Sequence, residues 1–248
     1  MSILEIIELI IILASAVLLL GIAAWKRKAP VTLREIPALT QLYRTLGLSM
    51  EDGTRLHVSL GHGGLLDARG GSALAGLAAL RYLTERTSVS DEPSVASAGD
   101  PTLGLLAQDT LQAGYEAAGA GELYVPTTGR VTWLNPFGYV AGSMSILQNE
   151  NVSTNIMLGH FGSEAGLLTE VADRENVTVI GATDDLAGQA VIFANTQNAL
   201  IGEELFAVGA YLGAGPTHVA SLTVQDILRW LVILVLLGGA AAKLVGVI

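Results

Sequence analysis

The chain contains no cysteine. This absence excludes disulfide bonds, thiol nucleophiles, cysteine-held iron–sulfur clusters and covalently attached c-type haem. Aromatic residues make up only 5% of the 248 residues and charged residues only 15%, whereas 51% are hydrophobic. A composition this apolar is typical of an ordered chain and not of a disordered one.

The middle of the chain lacks lysine. Residues 29–225 contain eight arginines and 20 acidic residues, a formal charge of −12, within a chain whose net charge is −10. Because this field repels phosphates, we expect no nucleic-acid partner. A P-loop also needs a lysine after its glycines, so that motif is excluded from this segment.

Other motifs that carry chemistry are absent as well. Residues 61–66 begin like a dinucleotide-binding fingerprint but lack its last glycine, and neither Gly-x-Ser-x-Gly nor His-Glu-x-x-His occurs. The sequence therefore predicts no cofactor, no metal site and no catalytic residue, and it leaves open whether the protein is an enzyme. His57 and His218 are isolated along the chain, and we predict structural roles for both.

Hydrophobic residues are concentrated at the two ends. One run spans Ile6–Trp25 and is followed at once by the basic residues 26–28, and a second run spans Trp230–Ile248. About 20 apolar residues in a helix cross the hydrocarbon core of a bilayer. A cleavable signal peptide carries its positive charge before the apolar run, not after it. The sequence therefore predicts transmembrane helices within residues 1–28 and 226–248, with the lipid bilayer as a partner.

The basic residues near these two runs predict the orientation. Five of them lie on the side of the intervening segment, and only Lys243 lies on the opposite side. Since basic residues stay in the cytoplasm, we expect both termini outside, the middle segment inside, and the cytoplasmic (inner) membrane as the location. The five residues are Lys26, Arg27, Lys28, Arg34 and Arg229.

The middle segment divides into a connector, residues 29–50 with a short helix at 38–46, and a domain, residues 51–225. Short apolar runs alternate with helical patterns along the domain. This alternation predicts an α/β fold: a mostly parallel, Rossmann-like sheet with helices on both faces. The predicted strands are 56–60, 94–97, 155–158 and 177–180, and the predicted helices are 72–86, 102–118, 136–148, 163–174, 186–197 and 203–212.

Two parts of the domain resemble each other. Leu60-Gly-His-Gly63 matches Leu158-Gly-His-Phe-Gly162 apart from one inserted residue, and each follows a predicted strand. The next strand of each half leads to an aspartate, Asp100 or Asp184. We interpret this as an internal duplication, with chance similarity between glycine-rich turns as the alternative.

These loops are the candidate ligand site, because open α/β sheets bind ligands at the carboxyl ends of their strands. Two histidines and two aspartates there could serve acid–base chemistry, hold an ion or bind a small molecule or anion. The structural alternative is that the histidines satisfy loop carbonyls and the aspartates cap helices. The candidate residues are Gly61, His62, Gly63, Gly64, Asp100, Gly159, His160, Gly162, Ser163 and Asp184.

Three segments carry a resemblance to a known family: 46–64, 158–164, and 200–204 with 211–216. The chain resembles an uncharacterised family of bacterial membrane proteins that contain a domain of unknown function. The resemblance covers most of the middle segment and the C-terminal helix. It implies membrane attachment and says nothing about activity.

Two functions follow as hypotheses. The first is a membrane-anchored scaffold that self-associates into a homo-oligomer, because a body poor in charge leaves apolar surface that subunit interfaces would cover. The second, ranked after the scaffold, is a small-molecule- or anion-binding module, with or without enzymatic activity, that uses the two Gly-His-Gly loops. A channel would need more spans than two per chain and ranks below both.

Overall fold

A computed structural model describes residues 3–26, 33–67, 70–213 and 215–244. The described residues form two compact units. One unit contains the two terminal segments, up to Leu33 and from Gly213 onward, and the other is Arg34–Leu212. Each unit has its own architecture.

The terminal unit consists of two long helices that pack against each other, α1 (Ile3–Lys26) and α9 (Pro216–Leu244). Both are long and apolar enough to cross a membrane, over Glu5–Ala24 and Thr217–Leu244. Almost none of their apolar side chains is buried within the protein, in contrast to the core helix of a soluble domain. Two of the basic residues that predict the orientation, Arg27 and Lys28, lie outside the described residues. So do the last four residues of the predicted C-terminal helix, 245–248.

The second unit is built on a five-stranded sheet in which all paired strands are parallel. Its strand order is β3-β2-β1-β4-β5, the order of the doubly wound dinucleotide-binding folds. In this order the chain reverses direction across the sheet between β1 and β4, which is the topological switch point. The strands are β1 (Arg55–Gly61), β2 (Val95–Ala98), β3 (Gly129–Val131), β4 (Val152–His160) and β5 (Thr178–Thr183).

Helices cover both faces of this sheet, and each face has its own hydrophobic core. One core contains Leu56, Val58 and Leu60 of β1, which alternate along the strand and therefore point to the same face. The helices of that face are α2 (Pro37–Glu51), α3 (Gly70–Thr87), α4 (Pro101–Ala117) and α8 (Glu204–Tyr211). The helices of the other face are α5 (Pro136–Asn149), α6 (Ala165–Arg174) and α7 (Leu186–Asn195). The predicted fold class is thus confirmed, whereas the internal duplication stays a prediction.

Three elements differ most from the sequence-based expectation. Strand β3 was not predicted, because Gly129–Val131 is a three-residue edge strand without an apolar run. Helix α2 is longer than the predicted 38–46 and buries Leu39, Leu42 and Leu46 in the same core as β1. Helix α9 starts at Pro216, well before the predicted span at Trp230, because the polar residues before Trp230 continue the same helix.

Candidate functional site at the switch point

The ends of β1 and β4 approach so closely that only glycine fits. A Cβ on Gly61 would lie 2.2 Å from the backbone oxygen of His160, and a Cβ on Gly159 would lie 2.0 Å from that of Leu60. Gly61 also has φ +75°, a backbone conformation that side chains disfavour. The two strand ends stay paired here, and the His62 N–H donates to the His160 oxygen at 3.1 Å. The predicted glycines therefore bring the two histidines together.

The imidazole rings of His62 and His160 meet across the switch point. Their centroids are 5.0 Å apart and the ring planes are nearly perpendicular, at 81°. His62 Nε2 lies 2.8 Å from Oε1 of Glu164, and His160 Nδ1 lies 2.6 Å from Oδ1 of Asp184. The side chains of His62 and His160 are 11% and 9% exposed. Two carboxylate–imidazole pairs thus tie together the loops that follow β1, β4 and β5.

Glu164 was not among the predicted residues. It is buried, and its Oε1 also accepts the Gly162 N–H at 2.6 Å. Burial alone would raise the pKa of this carboxyl, but hydrogen bonds from the backbone N–H groups of Glu164 and Gly162 and from His62 outweigh it and lower the pKa. The ionised Glu164 carboxylate therefore accepts a hydrogen bond from His62 Nε2–H. The signal in the sequence was an acidic residue two positions after Gly162, at the start of a predicted helix.

These partners assign the tautomers of the two rings. An ionised carboxylate only accepts, so His62 carries a proton on Nε2 and His160 carries one on Nδ1. In the neutral rings, Nδ1 of His62 and Nε2 of His160 then hold lone pairs. Each histidine can therefore accept a hydrogen bond or a proton from a ligand.

The two predicted aspartates play different roles. Asp100 caps α4, with Oδ1 accepting the Leu103 N–H at 2.8 Å, as the structural alternative expects. Asp184 binds His160 instead, and the neighbouring Asp185 caps α7 through the Gly188 N–H at 2.8 Å. The halves of the proposed repeat therefore differ at their acidic residue.

The other predicted residues lie in the loops that carry His62 and His160. Gly63 is buried, and Gly64 lies against the Asp67 carboxylate, whose Oδ2 would be 2.9 Å from an added Cβ. Gly162 donates to Glu164, and Ser163 is exposed with its backbone oxygen accepting the Gly166 N–H. These residues shape the two loops.

A cleft of about 410 Å³ opens beside His62, between the loops that follow β1, β2 and β3. This volume lies within the range of small-molecule pockets. Asp100 and Gly64 line the cleft together with His62, so these three predicted residues share one cavity. The other lining residues are Gly64, Leu65, Leu66, Asp67, Gly99, Pro101, Thr102 and Leu134.

A fully buried polar layer lies beneath the site on the α5 side of the sheet. His57 Nε2 is 2.9 Å from Ser97 Oγ, which is 3.1 Å from Tyr139 Oη, and Tyr139 Oη accepts the Gly61 N–H at 3.2 Å. Ser59 Oγ links His57 to Asn155. Burial lowers the pKa of His57 to about 4, so this ring is neutral at pH 7. The hydrogen-bond chain ends at the glycine that precedes His62.

Within the described residues, no group of three or more histidine, cysteine, aspartate or glutamate side chains is placed to hold a metal ion. The arrangement is suited to hydrogen bonding and proton transfer by paired imidazoles.

Comparisons with known proteins identify the family. No curated protein and no solved structure matches the chain. Residues 2–248 match the model of a family described as Domain of unknown function (DUF6754), and the chain belongs to this family.

Proposed function

We propose that residues 34–212 form a small-molecule-binding module, that the terminal helices attach it to a membrane, and that the ligand contacts the switch point of the sheet. The observation that carries the proposal is the pair His62 and His160, each held by a carboxylate where open α/β sheets bind ligands. The cleft beside His62 supports it, because it offers a concave surface with convergent polar groups.

The paired histidines supply the chemistry of this module. Glu164 and Asp184 fix the rings and make their free nitrogens better acceptors. A ligand hydroxyl or amine can donate to these nitrogens, and the same atoms can take up a proton from it. The site is therefore equipped for binding and for acid–base steps.

The proposal is tested with variants that keep the ties between the loops. In His62→Gln a side-chain amide can still donate to Glu164, and in His160→Asn an amide can still donate to Asp184, while both lose the imidazole. His218→Gln, in α9, is the matched control. The full chain in lipid nanodiscs is screened by thermal shift against nucleosides, sugars, amino acids and short carboxylic acids.

We expect at least one compound to raise the melting temperature of the wild type and of His218→Gln but not that of the two site variants. Equal stabilisation of all four proteins by every active compound would overturn the proposal. So would the absence of any stabilising compound, since the histidines would then only tie loops together.

Self-association is a second candidate function, favoured by exposed apolar side chains after β3. Trp133, Leu134 and Phe137 are 60%, 66% and 66% exposed. Large apolar groups clustered on a surface mark interaction sites, and a second copy of the chain would cover them in a scaffold. Mass photometry of the protein in mild detergent tests this role: oligomers that Phe137→Ser dissociates support it, and a monomeric wild type contradicts it.

A further inference from the structure

The polar groups that line the cleft beside His62 are mainly hydrogen-bond acceptors. Among the described lining residues, Asp67 and Asp100 contribute carboxylates, Thr102 contributes one hydroxyl, and His62 contributes an imidazole whose N–H already donates to Glu164. Only one oxygen of Asp100 is used by the cap of α4, and a carboxylate has about four acceptor positions. A ligand that fits this lining brings most of the hydrogen-bond donors itself, as vicinal hydroxyl groups do.

The mouth of the same cleft is apolar. Leu66, from the loop after β1, is 93% exposed, and Leu134, from the loop after β3, is 66% exposed. A flat apolar group that covers these exposed leucines stabilises the complex by about 25 cal/mol per Å² of apolar surface removed from water. Because they belong to different loops, a ring that enters the cleft can contact both.

An anionic ligand does not suit this lining. Among the described residues around the cleft there is no lysine or arginine. Helix α4 begins at the cleft, but its N-terminus is already capped by Asp100, and Pro101 at its first position has no N–H to offer a phosphate. Among the described lining residues, a phosphate would therefore meet two carboxylates, with Thr102 as the only hydroxyl side chain.

We propose that the cleft binds a neutral, ring-bearing polyol of the size of a nucleoside, with its hydroxyl groups on Asp100 and Asp67 and its ring between Leu66 and Leu134. This inference rests on the proposed function and names the ligand class for the same site. It requires a ligand without phosphate.

The test compares three related probes on the full chain in nanodiscs by isothermal titration calorimetry. Adenosine has the ring and the vicinal hydroxyls, 2′,3′-dideoxyadenosine lacks the hydroxyls, and AMP adds a phosphate. We expect adenosine to bind, the dideoxy compound to bind about tenfold more weakly, because the acceptors lose their donors, and AMP to bind more weakly than adenosine.

Asp100→Asn and Asp185→Asn form a matched pair of variants. Both aspartates cap a helix, and asparagine caps equally well, but only Asp100 lines the cleft. Asp100→Asn should weaken adenosine binding about tenfold, and Asp185→Asn should leave it unchanged. Likewise, Leu134→Ala should weaken binding and Leu167→Ala, at an exposed position outside the cleft, should not.

Three results would overturn the ligand class: no adenosine binding, tighter binding of AMP than of adenosine, or equal effects of the two aspartate variants. If any of these occurs while another compound in the thermal-shift screen depends on His62 and His160, only the ligand class fails. If no compound depends on the histidines, the proposed function fails as well.

Discussion

His62 and His160 each use one ring nitrogen to bind a carboxylate, Nε2 in His62 and Nδ1 in His160. Among the described residues, no hydrogen bond to Nδ1 of His62 or Nε2 of His160 is formed. Under the proposed function these two atoms recognise the ligand, and substitutions that preserve the carboxylate contacts separate recognition from folding.

His57 should make stability depend on pH. Its pKa is about 4 in the folded protein, against 6.5 as its ordinary value. Between these values the unfolded chain binds a proton that the native chain does not, so stability falls as pH falls, by about 1.4 kcal/mol per pH unit. Above pH 6.5 the ring is neutral in both states and has no such effect.

We therefore expect the wild type to lose up to about 3 kcal/mol between pH 6.5 and 4 through this group. Urea unfolding of the full chain in mild detergent, followed by circular dichroism across this range, measures the loss. In His57→Gln the protein should be less stable at pH 7 but its dependence on pH shallower. An unchanged pH dependence would mean that this ring is protonated in the native state.

Tyr139 and Tyr115 are both buried but differ in the hydrogen bonds of their hydroxyl groups. Tyr139 Oη accepts the Gly61 N–H and bonds Ser97, whereas Tyr115 Oη has no partner among the described residues. Tyr139→Phe should cost about 1–3 kcal/mol, because it leaves buried groups without partners. Tyr115→Phe should cost little or stabilise, since it removes a buried unsatisfied hydroxyl. Urea unfolding measures both, and equal losses would contradict a role for Tyr139 in holding the Gly61 turn.

At the scale of elements, helix α3 packs directly on the backbone of β4. A Cβ on Gly76 would lie 2.3 Å from the Leu158 oxygen and 2.9 Å from Leu60 Cδ2. Gly76→Ala should therefore destabilise by about 1–3 kcal/mol through overpacking, although alanine is the better helix former. Helix α3, which follows the His62 loop, would move away from strand β4, which ends at His160.

Gly47→Ala in α2 is the control for this change, because an added Cβ there meets nothing within 4 Å. It should stabilise by about 0.5–1 kcal/mol through helix propensity alone. Thermal unfolding of both variants compares the two effects. A gain in Gly76→Ala similar to that in Gly47→Ala would mean that α3 can shift away from the sheet at no cost.

The sequence predicts most elements of this fold because their signals are local. Four strands carry apolar runs, and α4 and α5 begin with a cap and a proline, Asp100-Pro101 and Asn135-Pro136. Strand β3 has only three residues at the edge of the sheet, and its position depends on pairing with β2 and not on its own composition. A single sequence does not encode that pairing in a readable pattern.

The site is predictable in part for the same reason. The glycines that allow β1 and β4 to approach are visible as repeated Gly-His patterns, so the meeting of His62 and His160 follows from the strand order. Which carboxylate reaches which histidine depends on loop geometry. Two adjacent aspartates, Asp184 and Asp185, divide the roles of histidine partner and helix cap, and local sequence cannot tell them apart.

For the whole molecule, the distribution of charge is the feature with the largest consequence. The middle segment is strongly acidic, and basic residues are concentrated where it joins the apolar helices. Since lysine and arginine near the ends of a span are held in the cytoplasm and acidic residues contribute little, the acidic charge does not oppose a cytoplasmic location. We propose that the α/β unit lies on the cytoplasmic side of the inner membrane.

The absence of cysteine makes this orientation directly measurable. Leu186→Cys and Val89→Cys each place one thiol at a position that is 81% or 65% exposed in the α/β unit, with no native thiol to remove. A membrane-impermeant maleimide should label both in inverted vesicles and neither in intact cells, and labelling after detergent solubilisation checks that each thiol is reactive. Labelling in intact cells would place the unit outside.

Replacing Arg34 and Arg229 by glutamine should weaken the preference for the inside orientation in the same labelling assay, because the bias depends on the number of basic residues next to the spans.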